Sequence, residues 1–114
     1  MTKAIPTMKL ELVPVPVSDI DRAIGFYKNK CGFTLEMDGE IAPGMRVVQL
    51  TPPGSACTII FGNGMGEITD MEPGLVKGLH LVVEDMAEAR AALMERGVDM
   101  GDVDVIRGST KDAK

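Results

Sequence analysis

The chain has 114 residues, which is the size of one compact domain. Its 17 acidic residues outnumber its 12 basic ones, and the formal net charge of −5 without a basic stripe argues against nucleic-acid binding. Because 45% of the residues are hydrophobic and only 4% aromatic, the core must be built from aliphatic side chains and methionine.

Two further features of the sequence bear on the compartment. No apolar run approaches the ~20 residues that cross a bilayer, and the first six residues lack the apolar segment of a signal peptide. The two cysteines, Cys31 and Cys57, have neither the spacing of a disulfide framework nor that of a metal site. We therefore expect a cytoplasmic protein with two free thiols and no membrane partner.

The first half of the chain predicts one helix among four strands. Apolar and β-branched residues predict a strand over Met8–Val17. A helix over Asp19–Lys30 follows, with Ser18 as its N-cap and Gly32 at its end. Turn residues then separate three further predicted strands, which lie at Phe33–Met37, Met45–Leu50 and Ala56–Phe61.

The second half begins with a glycine-rich connector. A strand is predicted over Gly78–Val83, and Asp85 is expected to cap a second helix that ends at Gly97. Residues 98–106 weakly predict another strand, and a polar tail follows. The order of strand, acidic cap, helix and glycine therefore occurs twice, because Val17 to Ile20 aligns with Val83 to Met86.

These repeated motifs resemble one family. Val17 to Asp19, Phe26-Tyr27, Gly32-Phe33 and Gly78 to Asp85 are similar to segments of the vicinal oxygen chelate superfamily, the group of glyoxalases, bleomycin-resistance proteins and extradiol dioxygenases. The resemblance covers roughly residues 8–106. It implies an α+β fold of two βαβββ modules whose sheets curve into an open cleft.

The resemblance also implies that the second module is incomplete. Module one is assigned to about residues 8–62, the connector to 63–77, partial module two to about 78–106 and the tail to 107–114. Compared with the first module, the second is short of about a dozen residues. An incomplete sheet has an unpaired edge, which a second copy of the chain can cover, so we expect a homodimer.

The family's metal site is not expected here. Metal-dependent members take His, Glu or Gln ligands from the first and last strands of each module, and those positions fall on Leu12, Ile59 and Gly78. None of these side chains can bind a divalent ion, whereas a catalytic metal needs about three protein ligands. We therefore expect no cofactor, and a divalent metal is the alternative.

A small-molecule pocket is the remaining kind of site that the cleft can provide. His80, the single histidine, is interpreted in three ways: as a buried histidine satisfied by a neighbour, as a polar group in an apolar pocket, or as a metal ligand or general base. No catalytic residue is assigned. The residues predicted to bind the ligand are His80, Leu12, Cys57, Ile59, Phe61 and Gln49.

Three functions follow from these expectations. The first is the binding of a small apolar or planar molecule in the cleft without a metal. The second is a metal-dependent lyase, isomerase or dioxygenase of the glyoxalase type. The third is a degenerate module without activity. The absence of ligating side chains favours binding over catalysis.

Overall fold

The computed structural model describes residues 3–102, so predictions for residues 103–114 lie outside the described residues. Within that range the chain forms a four-stranded sheet with the strand order β1–β4–β3–β2. β1 runs parallel to β4, and the other two pairs are antiparallel. The strands are β1 (Leu12–Pro14), β2 (Thr34–Ala42), β3 (Met45–Thr51) and β4 (Thr58–Asn63). The predicted α+β fold class is confirmed.

Three α-helices accompany the sheet: α1 (Ile20–Ile24), α2 (Glu67–Asp70) and α3 (Met86–Glu95). A π-helix, Gly25–Lys30, continues α1, so the two together fill the predicted first helix. The predicted N-cap Ser18 is wrong. The N-cap is Asp19, whose backbone is extended and whose carboxylate accepts the Arg22 N–H at 3.0 Å.

The helix that the sequence predicts after Asp85 is α3, and its first turn agrees with the prediction. The Asp85 carboxylate accepts the Glu88 N–H at 3.0 Å, which satisfies one of the free N–H groups at the start of α3. The described residues fall into two compact units, one that ends at Leu81 and one that comprises residues 82–102. Between residues 3 and 102, no helix combines the length and the apolar character needed to cross a bilayer.

A tight turn joins β2 to β3. Ala42 pairs with Met45, and only Pro43 and Gly44 lie between them. Proline suits the second position of a type II turn, and the φ of +75° at Gly44 suits the third, where most side chains are strained. The predicted turn chemistry therefore sets the register of this hairpin.

The core lies between one face of the sheet and the first helix. Its buried side chains pack against Ile20, Ala23, Ile24 and Tyr27 of the helical segment. Because side chains alternate along a strand, only every second residue of β3 and β4 reaches this core. The buried cluster consists of Val15, Phe33, Val48, Leu50, Ile59 and Phe61.

Three predicted strands differ from the structure. The strand predicted at Phe33–Met37 is longer, because β2 continues to Ala42. The other two are the first strand and Gly78–Val83. The first is β1, which spans Leu12–Pro14 instead of Met8–Val17. Beyond it, Pro16 cannot donate to a ladder, and before it Glu11 accepts a single hydrogen bond, from the Thr58 N–H at 2.9 Å.

Gly78–Val83 is not a strand. A strand needs a hydrogen-bonded neighbour, and no described residue pairs with this segment, so its β-branched composition is not sufficient.

Tyr27 joins the helical segment to the core. Its ring centroid lies 5.4 Å from that of Phe33 and 6.2 Å from that of Phe61. Burial raises the pKa of the Tyr27 hydroxyl above 10.0, and the neighbouring Cys31 thiol raises it further. Tyr27 therefore keeps its proton to a higher pH in the folded protein than in the unfolded one. Its contribution to the free energy of unfolding is complete below pH 10 and is lost as the pH rises through the folded pKa.

Tyr27 is the single tyrosine of the chain, so its titration can be observed directly. We expect tyrosinate absorbance to appear at a higher pH in the folded protein than in urea. In a Tyr27→Phe variant, the loss of stability above pH 10 should be smaller than in the parent. Equal titration midpoints in folded and unfolded protein would contradict the assigned burial.

Candidate functional site

The first and last strands of the βαβββ module lie side by side. Leu12 of β1 is opposite Thr58 of β4, and Gln49 of β3 is opposite Ile60 on the other side of β4. Paired residues point to the same side of a sheet, and this is the side away from the helix-covered core. We call the surface formed by Leu12, Gln49, Thr51, Thr58 and Ile60 the far face.

The far face combines two apolar side chains with three polar ones. The hydroxyls of Thr51 and Thr58 are 3.0 Å apart and share a hydrogen bond. That bond uses one of the two hydroxyl protons, so the pair still has one donor and several acceptor positions. The Gln49 amide is half-buried and makes no hydrogen bond to residues 3–102. A few polar groups on an apolar surface are typical of a small-molecule site.

Charged groups near the sheet lie on its other side. The Arg46 guanidinium donates to both carboxylate oxygens of Asp38, at 2.9 and 3.0 Å, and to Asp21 of α1 at 2.9 Å. These hydrogen bonds hold the pKa of Asp38 below its usual value. This cluster joins the first helix to the β2–β3 hairpin. The five residues of the far face include no ionised side chain.

The predicted binding residues are divided between different surfaces. Leu12 and Gln49 lie on the far face, whereas Ile59 and Phe61 are in the core, where Phe61 is only 2% exposed. Cys57 precedes β4 and is half-buried. The parallel register explains the difference, because it places Thr58, not Ile59, beside Leu12. That all of these residues bind a ligand stays a prediction.

His80 is in an exposed segment outside the sheet. Its Nδ1 lies 2.6 Å from the Gly78 carbonyl oxygen, so the ring donates to the main chain there and Nε2 remains for solvent or a ligand. No strand brings His80 next to the far face within the described residues. Of its three interpretations, burial is therefore excluded by the structure.

A metal site would need several ligands in one place. Among the residues that the structure describes, no group of three His, Cys, Asp or Glu side chains is close enough to hold an ion. At the ends of β1 and β4, the neighbouring side chains are Leu12, Thr58 and Ile60. Of these three side chains only that of Thr58 has an oxygen, whereas a divalent ion prefers carboxylate, imidazole or thiolate groups.

The fold is similar to solved structures of one superfamily. No protein-family model matches the sequence, and no curated protein matches it. Among solved structures, a glyoxalase/bleomycin resistance protein from Streptomyces sp. CB03234 is 34% identical, with a TM-score of 0.66. The match covers 80% of this chain and 76% of that one. The chain belongs to the glyoxalase/bleomycin resistance protein/dioxygenase superfamily.

Two other superfamily structures support this assignment. TnmS3, an antibiotic binding protein from the same Streptomyces strain, is 30% identical with a TM-score of 0.68, and the match covers 84% of this chain and 76% of that one. A superfamily member from Sphaerobacter thermophilus is 32% identical with a TM-score of 0.65, and the match covers 82% and 74% of the two chains. The resemblance inferred from the sequence motifs is confirmed.

Sequence reasoning missed Thr51 and Thr58 on the far face. Thr58 was visible only as an ordinary member of a predicted strand, and Thr51 directly followed another, because threonine favours strands whatever its function. Their pairing depends on the antiparallel register of β3 and β4, which a single sequence does not determine.

Proposed function

We propose that this superfamily member binds a small apolar or planar molecule on the far face of the sheet, without a metal ion. The observation that carries the proposal is the position of Leu12, where metal-dependent relatives are expected to have a ligand: this apolar side chain lies beside the hydroxyl of Thr58. TnmS3 is described as an antibiotic binding protein, which supports binding as a function of this fold.

The polar groups of the far face would orient the ligand. A carbonyl or hydroxyl on a planar ring system can accept from the free donor of the Thr51–Thr58 pair and from the Gln49 amide. Leu12 would contact the apolar part of the ring, where burying apolar area contributes roughly 25 cal/mol per Å². Ile60 lies beneath this surface, because it is only 5% exposed. Such a site needs no ionised group and no catalytic residue.

A second copy of the chain would complete this site. A single sheet face covers a ligand from one side, whereas small-molecule sites bury most of the ligand surface. Leu79, Leu81 and Val82 expose apolar side chains, and large exposed apolar surfaces mark interaction sites. We therefore propose a homodimer, which is tested by measuring the mass of the protein in solution across a dilution series.

Nile red, a neutral planar dye, and bleomycin are suitable probes of the far face. We expect at least one of them to raise the melting temperature and to shift the amide resonances of Gln49, Thr51 and Thr58. Leu12→Lys places a charge on the far face and should weaken binding about tenfold or more, because an unpaired ammonium opposes burial. The matched control is Leu10→Lys, at a residue that is 76% exposed.

Three outcomes would contradict the proposal. One is the absence of any stabilisation by either probe, and another is an equal effect of the two lysine substitutions. The third concerns the metal: one tightly held divalent ion per chain or per dimer, in protein purified without chelator, would favour the metal-dependent enzyme instead. A folded Leu12→Lys variant is verified by its circular dichroism spectrum.

A further inference from the structure

A groove lies beside the first helix, on residues separate from the far face. Val17, Ser18, Asp19 and residues of α1 form one wall, and Pro73 and Gly74 form the other. Its volume is about 480 Å³, which is within the range of small-molecule sites. The Gly74 N–H donates to the Pro16 carbonyl oxygen at 3.4 Å and connects the two walls.

The π-helix gives this groove an aromatic surface. Phe26 and Tyr27 are consecutive residues of that helix, and both line the groove. Their rings meet edge to face with centroids 5.1 Å apart. Tyr27 is anchored in the core, whereas Phe26 remains 39% exposed, so the Phe26 ring is available to a planar ligand.

One cation lines the groove without a partner among residues 3–102. The Arg22 guanidinium makes no hydrogen bond or ion pair there, although both nearby aspartates are engaged. Asp19 accepts the main-chain N–H of Arg22, and Asp21 pairs with Arg46. A guanidinium presents paired N–H donors that match a carboxylate. The lining therefore combines an exposed aromatic ring, an unpaired guanidinium that can bind a carboxylate, and the Asp19 carboxylate, which is engaged at the start of α1.

We propose that this groove is a second ligand site, which takes a small aromatic carboxylate. The carboxylate pairs with Arg22, and the aromatic ring packs against Phe26 beside Pro73. Ser18 and Tyr27, which both carry a hydroxyl group, also line the groove. The site does not depend on binding at the far face, because no residue is shared between them.

The test compares 2-naphthoate with 2-naphthamide, which has the same ring system without the charge. Titration of the full chain, followed by amide resonances, should show 2-naphthoate shifting Arg22, Ala23 and Gly74 and binding about tenfold more tightly than the amide. Arg22→Gln should lower the affinity for naphthoate to that for naphthamide. Phe26→Ala should weaken both ligands.

Lys28→Gln is the matched control, because Lys28 is an exposed cation of the π-helix that does not line the groove. Its binding of naphthoate should equal that of the parent. Equal weakening by the Lys28 and Arg22 substitutions would overturn the proposal, as would shifts that do not saturate. Naphthoate shifts confined to Gln49, Thr51 and Thr58 would also overturn it while supporting the far face as a binding surface.

Discussion

Replacement of Leu50 by alanine is expected to destabilise the protein by about 2–5 kcal/mol. Leu50 lies near the end of β3 and is 0% exposed, within the cluster that includes Phe33 and Phe61. Removing its side chain loses apolar burial and leaves a cavity that a close-packed core does not refill. Because small domains have only about 5–15 kcal/mol of stability, the urea midpoint should fall sharply.

The matched control is Leu75→Ala, the same substitution at a residue that is 58% exposed. We expect its urea midpoint to stay close to that of the parent, since exposed substitutions usually change stability by less than about 0.5 kcal/mol. A similar loss of stability in both variants would contradict the assigned position of the core. Circular dichroism during urea titration measures both effects.

Replacement of Gly62 by alanine should also be costly, by about 3 kcal/mol. Gly62 in β4 pairs with Val47 and has a φ of +156°, a conformation that side chains rarely adopt. A methyl group there would overlap the main-chain oxygen of Arg46 and lie 2.9 Å from its carbonyl carbon. Since both clashing atoms belong to a paired strand, relief requires the β3–β4 ladder to move.

Gly39→Ala provides the comparison for this substitution. Gly39 is also in a strand and also pairs with Val47, but an added methyl group would have no atom within 4 Å. We expect this variant to be as stable as the parent or slightly more so, because alanine reduces the freedom of the unfolded chain. Thermal unfolding of both variants gives the difference, and equal melting temperatures would show that the predicted clash is absorbed.

Local sequence patterns were sufficient for most elements of the fold. The helices that follow Asp19 and Asp85 have acidic caps and apolar periodicity, and β3 and β4 are rich in β-branched residues. The Pro43-Gly44 turn requires only its own two residues. Such features depend on neighbours in the chain, and this is why they can be predicted from one sequence.

The surfaces of the site depend on distant neighbours. A one-residue change in register moves a strand's side chains to the other face, which explains why Ile59 was assigned to the cleft and Thr58 was not. The groove beside α1 likewise requires Pro73 to approach Arg22. Neither the strand register nor the approach of Pro73 to Arg22 produces a periodic pattern in the sequence. Gly78–Val83 shows the converse case, because a β-rich composition without a partner did not form a strand.

The attachment of β1 has a consequence for the order of folding. The β2–β3–β4 meander connects neighbouring segments, whereas pairing Leu12 with Thr58 closes a loop of roughly 45 residues, whose entropy cost grows with its length. β1 also pairs over only three positions, next to a single strand of the described sheet. We therefore expect the meander to form before β1 joins it, and the amide of Val15, which donates to Ile60, to exchange with solvent before that of Val48.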